Sequence, residues 1–202
     1  MPFKNHPFQE SRKGTAAWRL FLSAIVLLLI AAAPAHAEMT LASKDLAAGQ
    51  TMANAQVFNQ FGCRGANASP DLAWSGAPVG TKSFAVLAFD PDAPTGSGWW
   101  HWAVFNIPAT ATRLSTGASR GGAIPKGAVE SRTDFGSAGY SGACPPAGGG
   151  PHRYQFTVFA LSVTDLSDAG FPLDENAPAA MVSFAVHSKM LEYATLEVLY
   201  QR

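Results

Sequence analysis

The chain has 202 residues, and its 14 Lys and Arg residues balance its 14 Asp and Glu residues, so the formal net charge is zero. Proteins that bind nucleic acid neutralise phosphates along a polymer with clustered basic residues, and a chain without excess positive charge lacks that signature. Hydrophobic residues make up 48% of the chain, which is enough for one domain of ordinary size with a sizeable core.

The first 37 residues have the pattern of a secretory signal peptide. A basic leader with Arg12, Lys13 and Arg19 precedes the apolar stretch 20–33, and residues 35–37 read Ala-His-Ala, a form that signal peptidase accepts. We therefore expect cleavage after this site, a periplasmic or secreted protein, and no stable membrane anchoring. The apolar stretch is shorter than the roughly 20 residues of a membrane span, and an uncleaved anchor is the alternative.

Cleavage would leave residues 38–202 as one domain. It would remove four basic residues and one acidic residue, so the domain is mildly acidic, which again argues against a nucleic-acid partner. Both cysteines, Cys63 and Cys144, lie in this domain. An even number of cysteines in an exported chain favours a disulfide, with two free thiols as the alternative. Neither cysteine has a further Cys or His at ligand spacing, so we expect no metal site and no cofactor.

The first predicted elements of this domain are strands. Residues 40–82 contain too many Gly, Pro and Asn for a long helix and are expected to form loops and short strands. Three apolar runs bounded by turn residues predict buried strands over residues 83–90, 102–107 and 154–163. The prolines between the first two of these runs require a loop there.

The second half of the domain adds a long loop, a helix and a last strand. Residues 115–150 are rich in Gly, Ser, Ala and Pro and predict an ordered surface loop, with disorder as the alternative. Apolar residues recur at helical spacing from about Ala177 to Met190, and residues 195–200 alternate as in a strand. Several strands, few helices and no strand–helix alternation favour a mainly antiparallel β fold.

Two segments place proton-exchanging side chains at the ends of predicted strands. Asp90 ends the first strand and begins the sequence Asp-Pro-Asp-Ala-Pro, and His101 follows within a run of tryptophans. The second segment runs from Pro145-Pro146 to His152, next to the start of the third predicted strand. Polar groups at the mouths of buried strands suit a small, partly apolar pocket for an anionic ligand.

These segments resemble those of the phosphatidylethanolamine-binding protein family, in its bacterial Raf-kinase-inhibitor-like branch. The resemblance extends over nearly all of the chain beyond residue 40, and the segments that carry it are Asn67–Pro70, Trp74–Gly76, Gly80–Phe84, Asp90–His101, Asn106–Ala109, Asp134–Gly136 and Pro145–Tyr154. It implies a large antiparallel sheet packed on a smaller sheet, with a few peripheral helices. It also implies phospholipid head groups, nucleotides or small anions as ligands, and regulation of kinases or proteases in some members.

The resemblance implies that Asp90, His101 and His152 face one pocket. A histidine can donate to a phosphate oxygen through one ring nitrogen while Asp90 holds the other nitrogen. The alternatives are a turn cap for Asp90 and a buried packing role for His101. His187 matches no such motif, and we expect it on the C-terminal helix as a surface or packing residue.

Further residues are assigned to the pocket by the same resemblance. The family's anion-holding loop corresponds to three residues whose backbone amides could cradle an anion: Gly142, Ala143 and Cys144. Pro94 is expected at the rim, and Trp100 and Tyr140 are expected as walls, with plain packing as an equal alternative for these two aromatic residues.

Two more contacts are expected near this pocket. In a fold like that of the family, the loops that carry Cys63 and Cys144 would approach the same rim, which predicts a Cys63–Cys144 disulfide. Arg153 could clamp a phosphate, but it alternates with its neighbours on a strand and should point away from His152. We therefore expect a structural salt bridge for Arg153.

The sequence thus predicts an exported, non-catalytic binding protein whose anion pocket takes phosphate-bearing or phospholipid head-group ligands, with a regulatory or inhibitory role. Neither a hydrolase nucleophile motif nor a metal cage is recognisable. The alternative is a protein-interaction module that inhibits an exported protease or engages a host protein, followed by a weak acid–base enzyme. Since a charged imidazole favours an anion, we expect tighter binding near pH 6 than near pH 8.

Overall fold

The structure is a computed structural model that describes residues 38–202. The proposed signal peptide, residues 1–37, and its alternative as an uncleaved anchor lie outside the described residues. Within the described range, none of the helices is both long enough and apolar enough to span a membrane.

The described residues form two antiparallel sheets and one α-helix. In chain order the elements are β1 (Thr40–Ala42), β2 (Leu72–Ser75), β3 (Ser83–Asp90), β4 (Trp99–Pro108), β5 (Arg113–Leu114), β6 (Val129–Glu130), β7 (His152–Leu161), α1 (Ala179–Lys189) and β8 (Met190–Tyr200). Short 3-10 helices lie at Asn54–Gln56 and Leu166–Ala169. The small sheet has the order β1-β2-β5, and the large sheet has the order β6-β4-β3-β7-β8. This arrangement confirms the mainly antiparallel β fold, with a large and a small sheet.

Strand β3 lies at the centre of the large sheet and is covered on both faces. Phe84, Val86 and Ala88 contribute to the core that contains residues of the small sheet, while Ala85 and Leu87 contribute to a second core under α1. Because successive side chains of a strand point to opposite faces, a strand covered on both sides needs a continuous apolar sequence. That requirement explains why this segment reads as an unbroken apolar run.

The strand boundaries differ from the sequence predictions mainly at strand starts. Strand β4 begins three residues earlier than predicted, at Trp99, and β7 begins two residues earlier, at His152. Strand β8 begins at Met190 rather than Thr195, because its first residues pair with β7 although several of them are exposed. The prediction depended on alternation between buried and exposed residues, and the first four residues of β8 do not show it because none of them is buried.

The predicted helix and long loop are both present. Helix α1 spans Ala179–Lys189 and packs Val182 and Val186 into the second core. His187 lies on this helix, where its Nδ1–H donates to the Ser183 carbonyl at 2.7 Å and its ring contacts Phe159. The loop over residues 115–150 is ordered and contains only the short strand β6 among the described elements.

A disulfide between Cys63 and Cys144 ties this long loop to the segment before β2. Its two cysteines are separated by 81 residues of sequence. A cross-link across a loop of this length removes much of the conformational freedom of the unfolded chain, and gains of roughly 2–4 kcal/mol are typical. Since one half-cystine precedes Pro145 directly, the bond also fixes the start of that proline pair.

We expect a thiol titration of the denatured, unreduced protein to find no free thiol. Replacing both cysteines by serine should lower the free energy of unfolding by roughly 2–4 kcal/mol, because the unfolded chain regains its freedom. Urea denaturation measured at matched protein concentration checks the second value. Two reactive thiols per chain would contradict the bond.

Candidate functional site

The ends of three neighbouring strands meet at one edge of the large sheet. Strand β3 ends at Asp90, which pairs with Trp99 at the start of β4, while Phe89 pairs with Gln155 near the start of β7. Antiparallel pairing therefore brings the C-terminal end of β3 beside the N-terminal ends of both partners. A cavity of about 260 Å³ opens at this edge, and we call it the main cavity.

Asp90 and His152 form a buried pair in the main cavity. The Nδ1 atom of His152 lies 2.8 Å from Oδ2 of Asp90, and the two residues are 5% and 2% exposed. The other carboxylate oxygen, Oδ1, accepts from the backbone N–H of Asp92 at 2.8 Å. Asp90 therefore caps its turn with one carboxylate oxygen and orients the His152 imidazole with the other, so both roles predicted for it are present.

His101 reaches the main cavity through a β-bulge. Ala88 pairs with Trp102 and Phe89 pairs with Trp100, so His101 is the extra residue in the ladder between β3 and β4. A bulge leaves the extra residue unpaired and re-aims its side chain. Ser141 supplies the missing partners, since its N–H donates to the His101 carbonyl at 2.9 Å and its carbonyl accepts from the imidazole Nδ1 at 2.7 Å.

The Ser141 carbonyl is thus the partner that orients His101. The expectation that Asp90 would accept from His101 is wrong, because Asp90 accepts from His152 instead. Burial lowers the pKa of His101 below its usual value, and the hydrogen bond to Ser141 opposes this shift only in part. The imidazole is therefore neutral near pH 7. With its Nδ1–H donated to a carbonyl, its Nε2 is a hydrogen-bond acceptor in the neutral form.

Tyr154 lines the main cavity as well, and the sequence reasoning missed it. The residue is 2% exposed, and its hydroxyl lies near the Asp90 carboxylate but makes no hydrogen bond of normal geometry within residues 38–202. Burial is the main cause that raises the pKa of this hydroxyl, and the nearby Asp90 carboxylate adds to it. The sequence did carry a signal, because Tyr154 lies two residues after His152 and thus on the same face of β7.

Aromatic side chains form the wall of the main cavity. The ring of Phe135 lies 5.3 Å from His101, 5.5 Å from Trp99 and 6.0 Å from Phe61 between centroids. Phe61 is 70% exposed and stands at the mouth. None of these three aromatic residues was predicted to line the cavity, although Phe135 and Trp99 lie in two of the segments that carry the family resemblance.

Two predicted walls lie elsewhere. Trp100 alternates with its neighbours on β4 and packs on the opposite face of the sheet, where it lines a separate cavity of about 420 Å³ with His187. Tyr140 is fully buried in the core, and its hydroxyl donates to the Gln56 carbonyl at 2.7 Å. Both residues therefore pack in the core, as the alternative from the sequence had it, and the prediction that they line the main cavity is wrong.

The backbone amides of Gly142 and Ala143, which were predicted to hold an anion, do not face the main cavity. The N–H of Gly142 donates to Oδ1 of Asn67 at 2.8 Å, and Ala143 forms a buried bridge with Val57, so neither residue lines the main cavity. A Cβ at Gly142 would lie 2.1 Å from the Gln56 carbonyl oxygen, so glycine is needed there for close backbone packing. Cys144 and Pro94 do line the main cavity.

Arg153 points away from His152 and forms the expected salt bridge. Its Nε and Nη2 atoms lie 2.8 and 2.7 Å from the two carboxylate oxygens of Asp92, and its backbone N–H donates to the same carboxylate at 2.9 Å. These bonds lower the pKa of Asp92 to about 2. The prediction of a structural salt bridge is confirmed, and the bridge fixes the turn after Asp90 against the start of β7.

The protonation state of the main cavity decides which hydrogen bonds it can offer. In the neutral state each imidazole donates its Nδ1–H to a protein oxygen and presents Nε2 as an acceptor, while Tyr154 offers an O–H. Protonation converts each Nε2 into a charged donor. Within residues 38–202, no group of three His, Cys, Asp or Glu side chains has the spacing to hold a metal ion.

Comparisons with known proteins agree with this architecture. The family model for phosphatidylethanolamine-binding protein matches residues 42–201. The UPF0098 protein YbcL of Escherichia coli is 46% identical over 178 residues, which cover 87% of this chain and 94% of that protein. The UPF0098 protein YbhB of E. coli is 48% identical over 163 residues, which cover 80% of this chain and 99% of that protein.

A comparison of structures gives the same result. The crystal structure of E. coli YbcL, described as a new member of the mammalian PEBP family, superposes with a TM-score of 0.77 at 47% identity. The match covers 82% of this chain and 99% of that structure. The two-sheet fold, the paired residues at the strand ends and these similarities lead to one conclusion: the chain belongs to the phosphatidylethanolamine-binding protein family.

Proposed function

We propose that this protein is an exported binding protein whose main cavity takes a small phosphate-bearing group, such as a phospholipid head group, in a regulatory or inhibitory role. The observation that carries the proposal is the convergence of His101 and His152 on one cavity, from two different strands, beside the unpartnered hydroxyl of Tyr154. Three groups that can donate to an oxyanion thus share a space of about 260 Å³.

The charge of the main cavity favours a protonatable anion. Asp90 contributes a buried negative charge that the His152 imidazolium would balance, and His101 adds a second titratable ring. A phosphate monoester can bring its own proton, because its second pKa is about 6, whereas the phosphodiester of a phospholipid head group would need its donors from the imidazoles and Tyr154. The O–H of the monoester can donate to one Nε2 while its other oxygens accept from Tyr154 and the second imidazole.

The walls of the main cavity suit binding of an amphipathic head group. Phe61, Trp99 and Phe135 offer apolar surface next to the polar base formed by the two imidazoles. Phospholipid head groups carry a phosphate next to apolar carbon, which this combination of surfaces would match.

Binding without turnover is favoured by the state of the potential nucleophiles. Cys144 is oxidised in the disulfide, and the hydroxyl of Thr95 donates to the Gly98 carbonyl. A hydroxyl nucleophile passes its proton to an adjacent base, and the proton of Thr95 is instead donated to a carbonyl oxygen, which is not a base. The signal-peptide pattern and the disulfide, which is typical of oxidising compartments, support export.

Phosphate should bind the wild-type protein and bind the His152→Gln variant at least about tenfold more weakly. The reason is the loss of a charge-assisted hydrogen bond, which contributes roughly 1.5–3 kcal/mol. Isothermal titration with inorganic phosphate and with glycerol 3-phosphate measures the change. His187→Gln on α1 is the matched control and should bind as wild type does. Equal affinity in both variants would refute the role of the main cavity.

Anion affinity should be several-fold tighter at pH 6 than at pH 8. The bound anion favours the charged imidazoles, and burial holds the pKa of His101 below its usual 6.5 in the free protein, so protons are taken up on binding. Sulfate is the appropriate probe because its own charge is constant over this range. A sulfate affinity that does not vary between pH 6 and pH 8 would contradict the imidazole contacts.

Stability without ligand should fall as the pH decreases below about 6.5. The unfolded chain binds a proton at His101 near pH 6.5, whereas the folded protein binds it only at lower pH, so acid favours unfolding in that window. His101→Gln, which can still donate to the Ser141 carbonyl, should lose part of this pH dependence. Urea denaturation at pH 5.5, 6.5 and 7.5 would show the difference, and identical pH profiles would argue against a neutral buried His101.

A further inference from the structure

A second, polar pocket lies beside the main cavity and shares Phe61 and Phe135 with it. We call it the side pocket, and its volume is about 290 Å³. Its lining includes Arg120 and two serines, Ser137 and Ser141, together with asparagine and glutamine residues. Among the described residues that line it there is no Asp or Glu, so its charge is positive.

Arg120 is the cation of the side pocket. Its Nη2 makes long hydrogen bonds to Ser137 Oγ at 3.3 Å and to the Ala138 carbonyl at 3.5 Å. Its Nε and Nη1 atoms make no hydrogen bond to residues 38–202, and no carboxylate of that range forms an ion pair with it. The planar fork of a guanidinium matches the two oxygens of a carboxylate.

Ser141 gives an independent sign of a ligand. Its side chain is 1% exposed and lines the side pocket, yet its Oγ has no hydrogen-bond partner anywhere in the described part of the chain. A buried hydroxyl without a partner is unfavourable, and such groups usually find an acceptor. A ligand oxygen held by Arg120 would be such an acceptor.

The backbone around the side pocket is strained. In residues 38–202, four residues other than glycine have left-handed φ angles, and three of them line this pocket: Phe61 (53°), Asn67 (52°) and Arg120 (60°). Such conformations are costly for residues with a Cβ and concentrate at ligand clamps. Asn67 holds the Gly142 amide through its Oδ1, so its conformation also fixes the segment that carries Ser141.

We propose that the side pocket is a binding site for the carboxylate of a small organic acid, held by Arg120 and Ser141. The site is separate from the phosphate site of the main cavity. Its binding does not depend on pH between 6 and 8, because the guanidinium and the carboxylate are both fully charged in this range. Phosphate binding through the imidazoles, in contrast, weakens as the pH rises.

The test is a titration of the purified protein with acetate, followed by two-dimensional NMR of the backbone amides at pH 6 and pH 8. Acetate should shift the amides of Arg120 and Ser141 with the same dissociation constant at both pH values. Arg120→Gln should weaken binding at least about tenfold, since a charge-assisted bidentate contact is lost. Arg64→Gln removes the same charge from a nearby exposed position outside both pockets and should leave the affinity unchanged.

The Ser141→Ala variant provides a second test of the carboxylate site. It should weaken acetate binding without lowering stability, because the hydroxyl has no protein partner to lose. His152→Gln should keep acetate binding while phosphate binding is reduced, so the two proposals can fail separately. The carboxylate site is overturned if acetate shifts no amide of the side pocket, or if Arg120→Gln and Arg64→Gln have the same affinity.

Discussion

The site depends on the position of β3 between β4 and β7 in the large sheet. Because both neighbours run antiparallel to it, the residue that ends β3 lies beside the residues that begin the other two strands. Asp90, His101 and His152 are thus brought together by main-chain pairing rather than by their own attraction. The unbroken apolar sequence of β3 makes this possible, since it allows a core on each face of the strand.

Both imidazoles are held in the same way by different partners. Asp90 accepts from Nδ1 of His152, and the Ser141 carbonyl accepts from Nδ1 of His101, which leaves each Nε2 as the ring atom available to a ligand. A buried histidine is costly if charged and unpaired, so the neutral form is the stable one for His101, whose orienting partner is a carbonyl. In the complex that we propose, an anion would reverse that preference by stabilising the charged ring. The disulfide at Cys144 and the bidentate Arg153 contact hold the surrounding turns in place.

The fold class could be predicted from the pattern of strands in the sequence. The disulfide and the meeting of the two histidine segments were implied by the resemblance to the family, since residues so far apart in sequence do not reveal their contact by themselves. The bulge at His101 could not be predicted from the alternation of side chains. Alternation alone does place Trp100 on the face opposite its neighbour His101, so its assignment to the main cavity could have been rejected from the sequence. The Gly142 amide was misassigned because its acceptor, Asn67, lies far away in the sequence. Tyr154 could have been predicted, because the alternation of side chains that correctly placed Arg153 on one face of β7 also places Tyr154 on the face of His152.

The most direct test of the account is the protonation of the two imidazoles, observed by nitrogen-15 NMR of labelled histidine. Without ligand at pH 7.5, His101 should be the neutral form with its proton on Nδ1, bound to the Ser141 carbonyl. Phosphate at pH 6 should then change the nitrogen-15 signals of Nε2 in both His101 and His152, with at least one Nε2 protonated and coupled to phosphorus through its hydrogen bond. A proton on Nε2 of ligand-free His101, or ring nitrogens that do not respond to phosphate, would contradict the account.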